Sequence, residues 1–599
     1  MSLVAQIKTA AEGALKQLYP DVEIPASMIA INQTKPEFEG DYTLVLFPFL
    51  KLLRTKPNVI GEQVGEYLIA NSDLFSAYHI VAGFLNLTVS ETYWSNFLSD
   101  NYNNLDLGKS AANGKNVMVE YSSPNTNKPL HFGHMRNIFL GYAMSSILQE
   151  NGNNVVKANL INDRGVHICK SMVAWQHFAN GATPDSAQTK GDHLVGEYYV
   201  KFNNAYKAEI KELVVGGMEE TIAEKEAPIM KEAQEMLRKW EAGDKEVVDL
   251  WKTMNGWVYD GFNVTYKRMG VDFDAMYYES NTYLLGKEVV EKGLEKGVLY
   301  KKEDGSVWID LTDEGLDQKL LLRADGTSVY MTQDIGTAIE KYNDHQLDKS
   351  IYVIGDEQNY HMQVLALILK KMGEPCADGI YHLSYGMVEL PTGRMKSREG
   401  TVVDADDMLD EMVALAQKQT EEAGKTDGFT EEELKDLYET IGLGALKFYL
   451  LRVDPKKKMI FDPKESIDLH GFTATFIQYA HARICSILRK EGLPLVPSAE
   501  VFKGYKHSLS IAVAEKKLIV SLEQYPSIVA AAAEEYNPSL ICNYTFQLAQ
   551  EFNSFYAEHS IAQAENEEKK QLRLMLIVMT AQVIRRAMGM LGIAVPEKM

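Results

Sequence analysis

The chain has 599 residues, enough for about four domains, and its 46% hydrophobic and 24% charged residues are typical of a soluble globular protein. Its formal charge of −22 excludes a uniformly basic surface, although net charge does not limit any one segment. The four cysteines are far apart in sequence, which argues against a disulfide framework or a CxxC zinc site and is typical of a cytoplasmic protein. The N-terminal segment lacks the compact apolar core of a signal peptide, and the most apolar late run, 574–584, is too short to span a bilayer.

The first half of the chain predicts a small module followed by a βαβ unit. Residues 1–110 combine helical spacing with the strand-like "GFLNLTVS" (83–90), which predicts a separate α+β module. "NVMVEY" (116–121) and "NVVKANLI" (154–161) have the pattern of buried strands. Between them, apolar residues follow helical spacing from Met135 until Asn151 and Gly152 end the helix. Strand, helix and strand in this order predict a parallel sheet.

The same pattern returns later in the chain. "KSIYVIGDE" (349–357) and "YHLSYGMVEL" (381–390) are predicted strands on either side of a helical segment, 360–375. Charged helical segments at about 175–275 predict a helical insertion within one doubly wound domain, 111–405. Residues 406–465 then form a linking segment, and 466–599 are helical throughout.

Charge is unevenly distributed in the second half. Residues 401–440 contain thirteen acidic residues and three lysines, whereas 445–491 contain nine basic residues and five acidic ones. The basic segment, which includes "DPKKKMIFDPK", is compatible with phosphate contact, and a solvated lysine-rich loop is an equally good interpretation.

The stretch "SSPNTNKPLHFGHMRN" (122–137) follows the first strand of the sheet. In open parallel sheets, ligands bind beyond the carboxyl ends of the strands, where the N–H groups of a helix start face an anion. His131 and His134 can donate hydrogen bonds to phosphate oxygens there, Gly133 allows close approach, and Lys128 adds positive charge. A zinc site is the weaker alternative, because HxxH has no third ligand at suitable spacing, and "GKSAANGKN" (108–116) departs from a P-loop.

A second basic stretch, "LPTGRMKSREGTVV" (390–403), follows the last strand of the sheet. Glycines flank Arg394, Lys396 and Arg398, which predicts a mobile loop that closes over phosphates, with an ordinary surface loop as the alternative. Two such loops, one after each half of the sheet, favour nucleotide binding.

These motifs resemble those of a known family. "HFGH" resembles the HIGH signature of class I aminoacyl-tRNA synthetases, and "RMKSREG" resembles a degenerate KMSKS loop. The segments 119–137, 330–342 and 476–483 and the ending "MGMLGIAVPEKM" are similar to arginyl-tRNA synthetases, and the resemblance runs through nearly the whole chain from about residue 80.

The resemblance implies a Rossmann-type parallel-sheet catalytic domain with a helical insertion, a helical C-terminal anticodon-binding domain, and an α+β N-terminal domain that contacts the tRNA elbow. It also implies ATP-dependent formation of arginyl-adenylate, followed by transfer of the arginyl group to the terminal adenosine of tRNA(Arg). A buried guanidinium pocket needs acidic partners, which agrees with this assignment. The implied arginine-binding residues are Glu120, Asn125, Tyr330, Asp334 and Gln358. The implied tRNA-binding residues are Asn86, Tyr479 and Met599.

For ATP, the resemblance implies binding by His131, Gly133 and His134 and by the loop residues Arg394, Met395, Lys396 and Ser397. The loop departs from KMSKS, because Arg394 stands where a lysine is usual and Ser397 or Arg398 where the second lysine would be. Family members with such loops typically have a lysine just before HxGH, and Lys128 fits that place. We therefore expect Lys128, Lys396 and Arg398 to act with the two histidines in stabilising the leaving pyrophosphate, without a general base.

ATP with Mg²⁺ is expected as substrate, with no prosthetic group and no structural zinc. We expect a cytoplasmic monomer. Three alternatives stay open: a class I synthetase for another amino acid, a non-catalytic tRNA-binding relative, and a small-metabolite adenylyltransferase. ATP–pyrophosphate exchange with each amino acid distinguishes the first two, and deletion of the C-terminal helices tests the third.

Overall fold

The structure is a computed structural model that describes residues 2–35, 37–391, 403–424, 426–502, 505 and 510–599. Its first module contains a four-stranded antiparallel sheet in the order β1-β2-β4-β3, packed against helices. Helix α1 begins at Leu3 because the Ser2 side chain accepts a hydrogen bond from the Ala5 N–H (3.3 Å). The elements are α1 (Leu3–Leu18), β1 (Ile31–Gln33), β2 (Tyr42–Val45), α2 (Leu50–Leu53), α3 (Pro57–Asn71), β3 (Phe75–Val81), β4 (Phe84–Val89) and α4 (Glu91–Asn101).

A five-stranded parallel sheet forms the middle of the chain. Its core is the predicted βαβ unit of β5 (Asn116–Glu120), α5 (Phe132–Glu150) and β6 (Asn154–Ile161). Helices then follow without a strand: α6 (Val166–Phe178), α7 (Pro184–Ala187), α8 (Gly191–Val215), α9 (Glu220–Glu226), α10 (Pro228–Glu241) and α11 (Lys245–Met269). This confirms the predicted helical insertion, which begins about ten residues earlier than expected.

The chain returns to the sheet through a strand that the sequence pattern did not predict. This strand, β7 (Ala275–Tyr278), pairs in parallel with β6. It is followed by α12 (Glu279–Thr282), α13 (Gly286–Glu295), a small antiparallel sheet of β8 (Leu299–Lys301), β9 (Val307–Ile309) and β10 (Lys319–Leu322), and then α14 (Tyr330–His345).

The second predicted half completes the sheet with β11 (Lys349–Gly355), α15 (Asn359–Met372) and β12 (Ile380–Tyr385), which gives the order β12-β11-β5-β6-β7. The central position of β5 explains why α5, which follows it, is buried on almost every side. Gly141 permits that packing, because a Cβ there would lie 2.3 Å from the Cβ of Tyr121. As predicted, α5 ends just before Asn151 and Gly152, and Gly152 has a φ of +80°.

The rest of the chain is mainly helical. Strand β13 (Val388–Glu389) pairs with the distant β14, beyond two long helices. The elements are α16 (Ala405–Glu422), α17 (Glu431–Leu451), β14 (Met459–Ile460), α18 (Pro463–Ser466), α19 (Ala474–Lys490), α20 (Val513–Glu534), α21 (Ser539–Glu558) and α22 (Glu567–Met590). None of the helices in the described ranges is long and apolar enough to cross a membrane.

The N-terminal module packs against the C-terminal helices through polar contacts. The Leu3 N–H donates to Glu523 on α20 (3.0 Å), so a carboxylate lies at the positive end of α1. Asp41 forms an ion pair with Lys516, also on α20 (2.8 Å). The first and last parts of the chain are therefore held together.

Candidate active site

A cavity of about 1160 Å³ lies at the carboxyl edge of the parallel sheet. Its wall is formed by the segments that follow β5 and β6, the first turns of α8, and residues of α12 and α14. Ligands of open parallel sheets bind at this edge, and the volume suits a nucleotide together with a second small substrate.

An unusual turn directs the chain from β5 into this cavity. Ser122 and Ser123 have positive φ values of 74° and 45°, a conformation that is uncommon for residues other than glycine. Hydrogen bonds hold both: the Ser122 N–H donates to Asn137 Oδ1 (2.6 Å) and the Ser123 N–H to Asn159 Oδ1 (3.0 Å). The turn places the segment from Asn125 to His131 along the cavity wall.

The paired histidines lie at the start of α5 and contact each other. Their rings stack with centroids 3.7 Å apart, and His134 Nδ1 accepts a hydrogen bond from the His131 N–H (3.1 Å). Burial, with a smaller contribution from Lys128, lowers the pKa of His131 to about 3. Burial also lowers the pKa of His134 well below its ordinary value. Both imidazoles are therefore neutral at pH 7 and can offer an anion hydrogen-bond donors but no positive charge.

Gly133 leaves room for the His131 ring. A Cβ at this position would lie 3.0 Å from both His131 Cε1 and Nδ1, closer than carbon atoms normally approach. A residue with a Cβ would therefore require the His131 ring to shift by a few tenths of an ångström. The structure therefore gives the glycine of "HFGH" a steric role in addition to the predicted close approach of a ligand.

Lys128 lies in the same wall, with its Nζ 3.4 Å from His131 Nε2. Burial lowers the pKa of its ammonium group, and no carboxylate among the described residues forms an ion pair with it. A half-buried cation without an acidic partner attracts an anionic ligand.

The basic loop itself, with Arg394, Met395, Lys396, Ser397 and Arg398, lies outside the described residues, but both its ends are fixed beside α5. After the loop, the Phe132 N–H donates to the Val403 carbonyl (2.9 Å) and the Ala405 N–H to the Leu130 carbonyl (3.0 Å). Before the loop, the buried Arg136 guanidinium donates to the carbonyls of Gly386 and, at 2.9 Å, Lys457. The chain on both sides of the loop is therefore anchored to the histidine segment.

Comparison with known proteins identifies the family. A model described as the catalytic domain of class I tRNA synthetases (R) matches residues 96–462, a DALR anticodon binding domain model matches 477–599, and an arginyl tRNA synthetase N terminal domain model matches 5–89. An arginine–tRNA ligase of Bacteroides thetaiotaomicron is 53% identical over 587 residues, which cover 98% of each chain. One of Bacteroides fragilis is 52% identical over 601 residues and the full length of both chains. The chain belongs to the arginyl-tRNA synthetase family.

Solved structures agree with this assignment at the level of the fold. The structure titled as Thermus thermophilus arginyl-tRNA synthetase superposes with a TM-score of 0.80 over the full length of both chains, at 24% sequence identity. The predicted fold class is therefore confirmed: a parallel-sheet catalytic domain, a helical C-terminal domain and a separate N-terminal domain.

Three of the five predicted arginine-binding residues of this synthetase lie in the cavity wall: Asn125, Tyr330 and Asp334. Tyr330 is 77% exposed at the start of α14. Asp334 lies one turn later, and its carboxylate is 2.6 Å from His361 Nε2. The hydrogen bond that His361 donates to Asp334 raises the pKa of His361. Gln358 is exposed after β11 and is not part of the wall.

Glu120 is placed differently from the prediction. It is buried at the end of β5, where its carboxylate forms an ion pair with the buried Lys341 of α14, and it is not part of the cavity wall. Burial disfavours the charge of Lys341, but the Glu120 carboxylate outweighs this and raises the pKa of the lysine. Glu120 thus balances an internal cation, and its direct contact with arginine stays a prediction.

The charged residues of the wall that the sequence reasoning missed include Arg164 after β6 and Glu279 after β7. The Arg164 guanidinium stacks on the Tyr283 ring (4.0 Å) and pairs with Glu241 (2.6 Å). Burial raises the pKa of Glu279 to about 7, with Asp163 and Asp334 adding to the effect. Both residues directly follow parallel strands, the signal that identified His131, but β7 itself had not been predicted.

One group in the described ranges has metal-ligand geometry: His193, Asp404 and Asp406, whose ligand atoms lie within 4.8 Å of one another. Lys190 already supplies a cation there, because its Nζ contacts the Asp406 carboxylate. The hydrogen bond with Asp406 raises the pKa of His193, whose Nε2 is 3.2 Å from that carboxylate. These contacts fasten the insertion helix α8 to the start of α16, beside the histidine segment.

The predicted tRNA-binding residues have different environments. Asn86 is 3% exposed, and its Oδ1 accepts a hydrogen bond from the Thr43 hydroxyl (2.7 Å). Its side chain is therefore occupied by pairing across β2 and β4, and its contact with tRNA stays a prediction. Tyr479 is half-exposed on α19, with the Arg483 guanidinium 4.9 Å from its ring. Met599 is partly exposed at the end of a tail held along α19, where His481 contacts the Pro596 carbonyl (2.9 Å).

Proposed function

We propose that this chain is an arginine–tRNA ligase that uses ATP to form arginyl-adenylate and then transfers the arginyl group to the 3′ terminal adenosine of tRNA(Arg). The proposal is supported by relatives of that activity along the whole chain, at about 50% identity. The observation that carries it is the chemistry of the cavity. One part of its wall has the neutral imidazole of His131, which stacks on His134, and the Lys128 ammonium group, and these suit a triphosphate. Another part has the carboxylates Asp334 and Glu279.

The acidic part of the wall is the arginine site. A guanidinium is always charged and presents a planar fork of donors, so it needs carboxylates as partners when it is buried. Asp334 is the first partner, and arginine would replace His361 as its cation. Glu279 is the second, since the charge of Asp334 already acts on it. Tyr330 and Asn125, in the same wall, position the rest of the amino acid.

His131 and His134 hold ATP through N–H donors, and the rigid stack of the two rings fixes their direction. The α-carboxylate of arginine attacks the α-phosphate, and pyrophosphate leaves. Lys128 and the 392–402 loop, with Lys396 and Arg398, together stabilise the leaving group, and Mg²⁺ bound to the nucleotide neutralises further charge. Positioning and charge neutralisation suffice for this step, so no general base is assigned.

The helical domain at 466–599 binds the anticodon, and the N-terminal domain at 1–110 binds the tRNA elbow. On α19, Tyr479 is the residue that stacks on an unpaired base. A half-exposed ring beside the Arg483 guanidinium supports this role, because aromatic and guanidinium planes both stack on bases. The segment 406–465 contacts the acceptor stem. The enzyme acts as a cytoplasmic monomer.

ATP–pyrophosphate exchange with each of the twenty amino acids, with and without total tRNA, tests the proposal. Exchange with arginine alone and charging of tRNA with arginine are the expected results. Preference for a neutral amino acid would overturn the arginine site, and exchange with no amino acid in the presence of tRNA would favour a non-catalytic tRNA-binding protein. A variant lacking residues 471–599 tests the adenylyltransferase alternative. The ligase should lose aminoacylation of full-length tRNA, whereas an adenylyltransferase should keep its activity.

A further inference from the structure

A second cavity, of about 320 Å³, lies between residues 104–107, at the end of the N-terminal module, and the C-terminal helical part of the chain. Most of its wall is apolar, formed by Leu105, Leu107, Leu495, Val496, Met579 and Val583. The volume equals about ten water molecules, but an apolar wall gives water few hydrogen-bond partners. The cavity volume is also at the lower end of the range for small-molecule sites.

Two polar atoms in this wall have no hydrogen-bond partner among the described residues. Tyr525 is 1% exposed, and its hydroxyl is buried and unbonded. Arg586 donates from Nη2 to Glu150 Oε2 (2.6 Å), whereas its buried Nη1 is unbonded. A buried donor without an acceptor destabilises the fold, and native proteins seldom contain two of them in one place. The pair therefore indicates a ligand that brings acceptor oxygens.

The surroundings hold the Tyr525 ring firmly in place. The chain passes against it at Gly108, where a Cβ would lie 2.8 Å from Tyr525 Cε1 and where φ is +87°. The Tyr525 ring also stacks on the neighbouring Tyr544 ring, with the centroids 5.7 Å apart. The hydroxyl direction is consequently fixed before any ligand arrives, as in a preformed site.

The charged residues around the cavity indicate whether the ligand's acceptor group is neutral or anionic. Arg585 and Arg586 both lie in the wall, and Glu150 offsets one of them. Arg585 pairs with Glu597 at 3.5 Å, but both side chains are more than half exposed, so water screens this pair. An anion is therefore favoured over a neutral ligand, and a carboxylate can accept from a phenol and a guanidinium together. The apolar wall requires the rest of the ligand to be hydrophobic.

We propose that this cavity binds a small amphipathic carboxylate, with its carboxylate on Tyr525 and Arg586 and its apolar body against Leu105, Met579 and Val583. The site is separate from the active site: it lies at the end of α5, through Glu150, whereas the histidines lie at its start. The proposal is independent of the function proposed above.

Hexanoate is a suitable probe, titrated into the full-length protein labelled with ¹³C at the methionine methyl groups. Because Met579 lines the cavity, its resonance, assigned with Met579→Leu, should shift with saturation at a dissociation constant on the order of 1 mM for so small a ligand. Tyr525→Phe should weaken hexanoate at least tenfold. Leu105→Trp, which fills the cavity from its rim, should abolish the shift. Hexanamide, which lacks the charge, should bind at least tenfold more weakly than hexanoate.

Tyr544→Phe is the matched control, because this neighbouring tyrosine is also buried but donates its hydroxyl to the Ser521 carbonyl (2.9 Å) and is not part of the wall. Tyr544→Phe should lower the melting temperature and leave hexanoate binding unchanged. Tyr525→Phe should instead weaken hexanoate binding and leave the melting temperature unchanged. Absence of a saturable Met579 shift, equal affinity in Tyr525→Phe, or equal affinity for hexanamide would overturn the proposal. A fall in melting temperature in Tyr525→Phe as large as in Tyr544→Phe would also overturn it, since the Tyr525 hydroxyl would then be bonded within the protein.

Discussion

Glu279 should release a proton when arginine binds. Its pKa is raised from 4.5 to about 7, mainly by burial, and the nearby carboxylates of Asp163 and Asp334 add to the shift while Arg164 opposes it. A shift of this size means that ionising Glu279 in the ligand-free cavity costs roughly 3 kcal/mol more than in water. At pH 7 the carboxyl group is therefore about half protonated. A guanidinium beside it favours the ionised form and lowers the pKa again.

The predicted release at pH 7 is about half a proton for each arginine bound, rising toward one proton at pH 6. The sign follows from the raised pKa: the protonated fraction grows as the pH falls, so arginine must displace more proton and its affinity decreases by up to about tenfold per pH unit below 7. Calorimetric titration at pH 7 in two buffers with different enthalpies of ionisation measures the number of protons directly.

Protons released by His361 have to be distinguished from those released by Glu279. Asp334 raises the pKa of His361, and arginine would displace the imidazole from that carboxylate. Glu279→Gln should remove about half a proton from the total, and His361→Asn should remove only the contribution of the imidazole. Glu303→Gln, an exposed position outside the cavity wall, should change nothing. If Glu279→Gln releases as many protons as the parent, Glu279 does not face the guanidinium and its place in the arginine site is wrong.

Five further substitutions test other parts of the proposed enzyme. Lys128→Ala should slow adenylate formation by a hundred- to thousandfold, about 3–4 kcal/mol, without raising the KM for ATP, and Lys396→Ala should have a smaller effect; an unchanged pre-steady-state rate in Lys128→Ala would assign the charge to the loop alone. Asp334→Asn should weaken arginine use more than a hundredfold, about 3–5 kcal/mol, and a near-normal KM for arginine would exclude its role. Tyr479→Ala should weaken tRNA binding by about 1–3 kcal/mol at an unchanged melting temperature, whereas a lower melting temperature with unchanged tRNA affinity would indicate a core residue. Glu515→Gln should lower the free energy of unfolding by about 3–5 kcal/mol in denaturant titrations, because it leaves the buried Arg573 and Lys569 without their shared carboxylate; a loss below about 1 kcal/mol would mean that the two cations find other partners.

Some features of the structure could be predicted because they depend on short stretches of chain. The period of apolar residues gives β5, α5 and β6 nearly to the residue, and the rule that ligands bind beyond parallel strands places His131 and Lys128 at the cavity. The same rule would have found Arg164, which follows the predicted strand β6. It failed at Glu279 because β7 has only four residues and follows a long helical segment, so its pattern is too short to distinguish from a loop.

The charged partners of these residues could not be predicted in this way. Glu120 meets Lys341 across 221 positions of sequence, and nothing local to Glu120 indicates that a buried lysine from α14 will occupy its carboxylate. The Asn86 side chain likewise accepts a hydrogen bond from Thr43 of the neighbouring strand. The sequence by itself determined the order of the elements and the edge of the sheet where the chemistry lies, because hydrophobic period and chain direction are local properties. Only the tertiary structure decided which charges face the cavity and which neutralise one another inside the protein, because that choice depends on the packing of helices and strands that are distant in sequence.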